Sequence, residues 1–171
     1  EPIMPETVFL SFGANIGDRE ANIVSAITAL SMNDNITDIK VASLYETEPL
    51  VNKDQPPFLN TVVQLNTTLR PFDLLDETQK VEQLLGRPKN HKKNAPRIID
   101  IDIICFGSAY IDTDQLHIPH PMLAIRKFVL VPFNELVPDF IVPLVKKTVK
   151  DLLKHCPDTT IVRKHIPEKR A

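Results

Sequence analysis

The sequence predicts an α+β fold. Its elements run strand, helix, strand, strand, helix, strand, the ferredoxin-like βαββαβ order, with helices packed on an antiparallel sheet and C-terminal additions beyond. Three observations carry this. Apolar runs at Thr7–Phe12, Leu59–Leu69 and Ile98–Phe106 are rich in β-branched and aromatic residues. Ile23, Ala26, Ile27 and Leu30 recur at i, i+3, i+4 and i+7, as do Leu74, Thr78, Val81 and Leu85 at i, i+4, i+7 and i+11. All four glycines fall at apparent turns.

Thr7–Phe12 is the first expected strand. Gly13-Ala14-Asn15-Ile16-Gly17-Asp18-Arg19 follows as a tight turn, with Asp18 suited to cap a helix. A helix N-terminus after a glycine turn can receive an anion, but the Gly-Lys-Ser/Thr of a phosphate-binding loop is missing, and a plain turn is the simpler reading. Residues 39–46 alternate as a second strand, and 47–58 form a long loop with three prolines, a length often used for binding. Phe58 and Asn60 stand at the entrance of the third strand. A ring that stacks and an amide that pairs could grip a flat heterocycle, although Phe58 alone would read as core.

Pro71 opens the second helix at its first position and Gly86 closes it. Gln79 and Glu82 share a neighbouring stripe. After the strand ending at Phe106, Tyr110-Ile111 is expected to pair back as a short hairpin. His117 and His120 are three apart, but flanking prolines oppose a helix, so contact with phosphate or hydroxyl is expected rather than metal ligation. Arg126–Pro132 reads as strand-like, Val145, Val149 and Leu152 as a last amphipathic helix, and 163–171 as a loose basic tail.

At 171 residues a single domain, 1–171, is expected, with an ordinary soluble composition of 43% hydrophobic and 25% charged residues. A net charge of −2 gives no global basic surface for nucleic acid. Cys105 and Cys156 form neither a zinc pattern nor a disulfide framework, which suits a reducing compartment, the cytoplasm. No apolar run is long enough to span a membrane, and no signal pattern is present. The chain starts at Glu1 without Met, as expected of a trimmed or processed chain or a segment of a longer one.

The chemistry concentrates in Pro96-Arg97-Ile98-Ile99-Asp100-Ile101-Asp102-Ile103-Ile104-Cys105-Phe106. In a strand, Asp100 and Asp102 share one face, with Cα atoms about 6.5–7 Å apart, while Ile99, Ile101 and Ile103 take the other. Two adjacent carboxylates in an apolar strand repel each other and lose hydration. Hard cations would compensate them, and so would nearby Lys or Arg on a solvated face. Upstream, Gly86–Arg97 holds five of the 20 Lys and Arg and no acid. A cationic loop leading into paired aspartates suits a polyphosphate with Mg²⁺, although a solvated basic loop would have the same composition.

These motifs resemble the 6-hydroxymethyl-7,8-dihydropterin pyrophosphokinase family of the folate pathway. The resemblance runs from about Val8 to Val137. It rests on Asp54-Gln55-Pro56-Pro57-Phe58-Leu59-Asn60, on Pro96–Asp102, on Ile118-Pro119-His120-Pro121, and on Arg126-Lys127-Phe128-Val129-Leu130, with the glycine turn in support. It implies transfer of pyrophosphate from ATP to the pterin hydroxymethyl, giving AMP and the pterin diphosphate. It implies that Asp100 and Asp102 bind two Mg²⁺ and that Arg87 and Arg97 join them in catalysis. Gln79, Glu82, Arg87, Arg97, Ile103, His120 and Arg126 match ATP-holding positions. Thr47, Pro49, Leu50, Phe58, Asn60 and Phe128 match positions framing the pterin. In that family the loops after Gly13, around Pro49 and from Arg87 to Arg97 close over the substrates.

The partners so implied are small molecules, with no nucleic acid and no membrane, and a monomer is expected. Phosphoryl-type transfer needs positioning and charge neutralisation more than a protein nucleophile, which agrees with the lack of an apparent Ser/His/Asp or Cys/His set. Family members often carry an aromatic where this chain has Asn94, arginines at Lys89 and Lys93, and in some cases proline at Glu48. Another two-metal phosphoryl enzyme such as a nuclease would favour a wider basic surface than a pI near 6.2 suggests. A non-catalytic small-molecule binding module would use the Asp pair structurally. Mg²⁺-dependent AMP formation separates the three.

Overall fold

The computed structural model describes residues 4–48, 54, 56–86 and 98–167. It is a mixed fold of helices on an antiparallel sheet. The elements are β1 (Glu6–Ala14), α1 (Arg19–Ser31), β2 (Ile36–Val41), β3 (Tyr45–Thr47), β4 (Phe58–Thr67), α2 (Pro71–Leu84) and β5 (Asp100–Phe106). There follow β6 (Ile111–Asp112), β7 (His117–Ile118), a 3₁₀ turn (Leu123–Ile125), α3 (Lys127–Leu136), β8 (Ile141–Val142), β9 (Lys147–Thr148), α4 (Val149–Lys154) and β10 (Val162–Lys164). The main sheet has the order β10-β3-β4-β1-β5, and β2 also pairs with β4.

Each face of the sheet buries its own core. Val8, Leu10, Phe12, Leu59, Val63, Leu65, Ile101 and Ile103 pack with α1 and α2 on one side. On the other, Phe9, Val62, Ile104 and Cys105 pack with Leu130 and Phe133 of α3 and Val149 and Leu152 of α4. The Phe9 and Phe133 rings lie 4.7 Å apart. Burial pushes the Cys105 thiol up to about 12, so it packs as an inert small hydrophobe.

The expected first strand, the 59–69 strand, the two helices and the 98–106 strand form, with shifted ends. The Asp18 side chain accepts from Ala21 N at 3.1 Å and caps α1, and Pro71 starts α2. Gly13 is not in a turn but inside β1, opposite Asn60. The single strand expected over 39–46 is two, both on β4. Ser43 N between them is diverted to Glu135 Oε2 at 2.7 Å, and Leu44 O accepts from His165 N at 2.8 Å.

Arg126–Pro132 is not a strand. Lys127–Leu136 is helical, because Val129, Leu130 and Phe133 fall on one helical face and bury together against the sheet. The β-branched run misled because the stripe continues past Pro132 to Phe133. Tyr110-Ile111 does not pair back on the strand ending at Phe106: Ile111–Asp112 pairs instead with His117–Ile118 downstream. Val145 lies outside the last helix, which Thr148 caps. Arg163 and Lys164 are not loose: β10 pairs with β3, and Arg163 stands opposite Glu46. Among the described residues no helix is long and apolar enough to cross a membrane.

Candidate active site

Strand register assembles the site on the face that carries α3. Opposite Gly13 stand Asn60 on β4 and Asp100 on β5; opposite Ser11 stand Val62 and Asp102. The order Asn60, Gly13, Asp100 is thus one row across three strands, and Val62, Ser11, Asp102 is the next. Neighbouring strands are about 4.8 Å apart, so the backbones of Asn60 and Asp100 are about 10 Å apart across a floor with no side chain at Gly13. Asp100 and Asp102 are both partly exposed, while Ile101 between them is buried on the opposite face. The same-face expectation therefore holds.

On the amide side, Asn60 is 3% exposed and donates from Nδ2 to Thr47 Oγ1 at 3.4 Å. Phe58 lies two residues before Asn60 on the same face of β4, and β3 brings Thr47 opposite Phe58. Asn15 and Arg19 hold the chain that enters β4. Asn15 Nδ2 donates to Pro56 O at 3.4 Å and an Arg19 guanidinium nitrogen to Pro57 O at 2.8 Å. These two anchors escaped the sequence reading, though both sit in the turn singled out there.

On the carboxylate side, Ser11, Asp102, Ile104, His120, Leu123, Arg126 and Val129 line one open pocket. His120 is pinned twice: its N–H donates to Ile104 O at 2.8 Å, and its ring Nδ1 accepts from Met122 N at 3.1 Å. With Nδ1 accepting, the neutral ring carries its proton on Nε2. Burial, and then the nearby Arg126 cation, push the imidazole down to about 4. Near neutrality it is an uncharged donor. The Arg126 guanidinium sits 5.8 Å from the Phe128 ring centre, a cation–π contact.

The remaining expected residues divide. Glu82, on α2, is 7% exposed and its Oε2 accepts from Ile101 N at 3.0 Å. Gln79, on the same helix, is exposed. The Ile103 side chain is buried in the α1–α2 core, away from the carboxylates. Its peptide groups, two along from Ile101, face the same strand edge as the Ile101 N–H. Pro49, Leu50, Arg87 and Arg97, with Lys89, Lys93 and Asn94, lie outside the described residues.

Among the described residues no group of three or more His, Cys, Asp or Glu could hold a metal unaided. A pair of carboxylates nevertheless fits Mg²⁺, which usually takes one or two carboxylates plus substrate phosphates. Arg126 beside Asp102 is also what compensation by a nearby cation, the plainer alternative, would place there.

A family model described as 7,8-dihydro-6-hydroxymethylpterin-pyrophosphokinase (HPPK) matches residues 9–138. The chain belongs to the HPPK family. It is 41% identical to the Bacillus subtilis 2-amino-4-hydroxy-6-hydroxymethyldihydropteridine pyrophosphokinase, covering 78% of this chain and 79% of that one. With the Pseudomonas aeruginosa enzyme of the same name it shares 35% identity over 94% of this chain and 98% of the relative. It also matches the Schizosaccharomyces pombe folic acid synthesis protein fol1 at 40% identity, over 90% of this chain but 21% of the longer protein. Wild-type Plasmodium falciparum HPPK-DHPS, solved with pterin and p-hydroxybenzoate, superposes with a TM-score of 0.69 at 17% identity. That match covers 90% of this chain and 43% of the other, and is a likeness of fold. This HPPK chain transfers pyrophosphate to hydroxymethyldihydropterin in folate biosynthesis.

Proposed function

We propose that the chain uses ATP as pyrophosphate donor, with Asp100 and Asp102 holding two Mg²⁺ together with the nucleotide phosphates. The observation that carries this is the row Asn60, Gly13, Asp100, with His120 and Arg126 beside Asp102. Bound Mg²⁺ would neutralise polyphosphate charge and acidify the attacking hydroxyl.

The chain's own residues do the positioning. Thr47, Phe58, Asn60 and Phe128, with Pro49 and Leu50, frame the pterin at the amide end of the row. Its hydroxymethyl group then points across Gly13 toward the carboxylates. Gln79, Glu82, Ile103, His120 and Arg126, with Arg87 and Arg97, belong to the ATP side. Of these, Ile103 contributes backbone, since its side chain is buried in the core. The His120 Nε2–H donates to phosphate oxygen without adding charge, and Arg126 adds charge and a forked set of donors.

The hydroxymethyl oxygen forms a bond to the β-phosphorus of ATP. The bond from that phosphorus to the α–β bridging oxygen breaks, AMP leaves with the electron pair, and the hydroxyl proton passes to solvent. No protein nucleophile is needed, and the rate comes from alignment and charge stabilisation.

In the same reading the sheet is ferredoxin-like, supported by the order β5-β1-β4 followed by β3. The chain acts as one domain and as a cytoplasmic monomer, supported by its two free cysteines and its length and ordinary composition.

The test is AMP formation from ATP and 6-hydroxymethyl-7,8-dihydropterin, with Mg²⁺ and then with excess chelator. AMP and pterin diphosphate in equal amounts, lost on chelation, are expected. Undiminished turnover without divalent cation would overturn the metal assignment, and ADP as the product would overturn the pyrophosphoryl step.

A further inference from the structure

Among the described residues β5 is an edge strand: β1 pairs with one side of it and no strand pairs with the other. An edge strand presents a row of N–H and C=O groups that need partners, and its backbone is the easiest part of a sheet to displace. Here two partners come from outside the sheet. His120 N bonds to Ile104 O, and the Glu82 carboxylate accepts the Ile101 N–H at 3.0 Å. Ile101 is the residue between Asp100 and Asp102. Its peptide orientation therefore sets the aim of both side chains.

Glu82 is itself almost fully buried on α2, between Val81 and the strand edge. A buried carboxylate is costly unless its hydrogen bonds are satisfied, and the Ile101 N–H is one donor that satisfies this one. We infer that Glu82 is a positioning residue, whose carboxylate clasps the Ile101 N–H and so holds Asp100 and Asp102 in the arrangement that binds metal with ATP. The inference rests on the metal reading above and deepens it. It differs from a direct role for Glu82 on ATP, because the group that matters is a hydrogen-bond acceptor and not a charge.

That difference is testable. Glu82→Gln keeps an acceptor oxygen at the same reach. Glu82→Ala removes it, and Glu82→Asp withdraws it by one methylene. Mn²⁺ affinity is read by electron paramagnetic resonance with a non-hydrolysable ATP analogue, and protection of the Ile101 amide by hydrogen exchange in the free protein. Groups that orient metal ligands typically affect metal affinity by about 10–100-fold. Glu82→Ala and Glu82→Asp should weaken Mn²⁺ binding by that order and speed Ile101 exchange, while Glu82→Gln recovers most of both. Thermal unfolding identifies variants that do not fold; if Ala is one, the contrast between Gln and Asp decides.

An Ile101 amide that is unprotected in the wild type would overturn the clasp. So would Glu82→Gln as impaired as Glu82→Asp, the result of a charge acting on ATP. Wild-type protein that binds no Mn²⁺ would overturn the metal reading itself, and Ile101 exchange distinguishes that failure from failure of the clasp.

Discussion

Gly13 lies directly opposite Asn60, and a Cβ built on Gly13 would come within 2.9 Å of the Asn60 Oδ1. The glycine is there for close approach, because its φ is not in the left-handed region. The Asn60 amide is buried and bonded to Thr47, so it has little room to retreat. Gly13→Ala should fold normally and push the amide out of place. KM for the pterin should rise by roughly tenfold, corresponding to about 1.4 kcal/mol, with ATP-analogue affinity nearly unchanged. Steady-state assay for the pterin and calorimetric titration with the ATP analogue check this, and equal loss for both would point to a general disturbance of β1 instead.

The carboxylate pair leads to a second expectation. Asp100→Ala and Asp102→Ala should each abolish turnover while leaving the melting temperature at or above that of the wild type. Removing one of two neighbouring like charges relieves repulsion in the metal-free protein. Steady-state assay and thermal unfolding of both variants decide it; wild-type-like turnover in both would remove the pair from catalysis.

Asp100 and Asp102 were legible because strand periodicity is local: two residues apart means one face. The row that joins Asn60 to Asp100 through Gly13 was not, since it depends on the register of three strands separated by long connections. Gly13 itself was misread as a turn residue, as glycine marks both turns and close approaches. Arg126–Pro132 was misread because Val129, Leu130 and Val131 satisfy strand propensity, while the burial of Val129 and Leu130 with Phe133 on a helical face is decided by the sheet beneath. Phe58, Asn60 and His120 stood out from the residues themselves, while Thr47, Arg126 and Phe128 were added by the resemblance; Thr47, Phe58 and Asn60 lie on the amide side and His120 and Arg126 beside Asp102. Glu135 and Asp158 escaped altogether, since each bonds a backbone N–H far away in sequence, Ser43 and Lys127.

His120 has a pH signature of its own. Its folded pKa is pushed down to about 4 from an ordinary 6.5. Between these values the unfolded chain binds a proton that the folded chain refuses. The folded state is therefore unaffected above about pH 6.5 and loses stability as pH falls toward 4, by about 3 kcal/mol in all. Urea unfolding from pH 7 to 4 should show this slope, reduced in His120→Gln. In the free protein the ring should show no NMR titration between pH 5.5 and 8, expected bounds set by that low pKa. A midpoint near 6.5 would show that the ring is neither buried nor close to the Arg126 cation.

The last prediction concerns a C-terminal residue outside the stretch that matches the family. Asp158 Oδ2 accepts from Lys127 N, the first N–H of α3, at 3.0 Å, and its Oδ1 accepts from Thr160 N and Oγ at 2.9 and 2.7 Å. The helix has no local cap, so a residue 31 positions away supplies one between Arg126 and Phe128. Partial burial works to raise the Asp158 pKa, but the bonds from Thr160 and Lys127 outweigh it and hold the carboxyl below its usual range. A depressed carboxylate contributes stability above its unfolded pKa, and that contribution disappears as pH falls through the folded one. Asp158→Ala should thus cost about 1 kcal/mol at pH 7, as loss of a helix cap does, and much less near pH 3. Because the cap fixes the start of α3, the same variant should raise KM for both ATP and pterin through Arg126 and Phe128. Urea unfolding at the two pH values, with KM measured at pH 7, tests both parts. A destabilisation equal at pH 7 and 3 would show that the carboxylate charge is not what holds the helix.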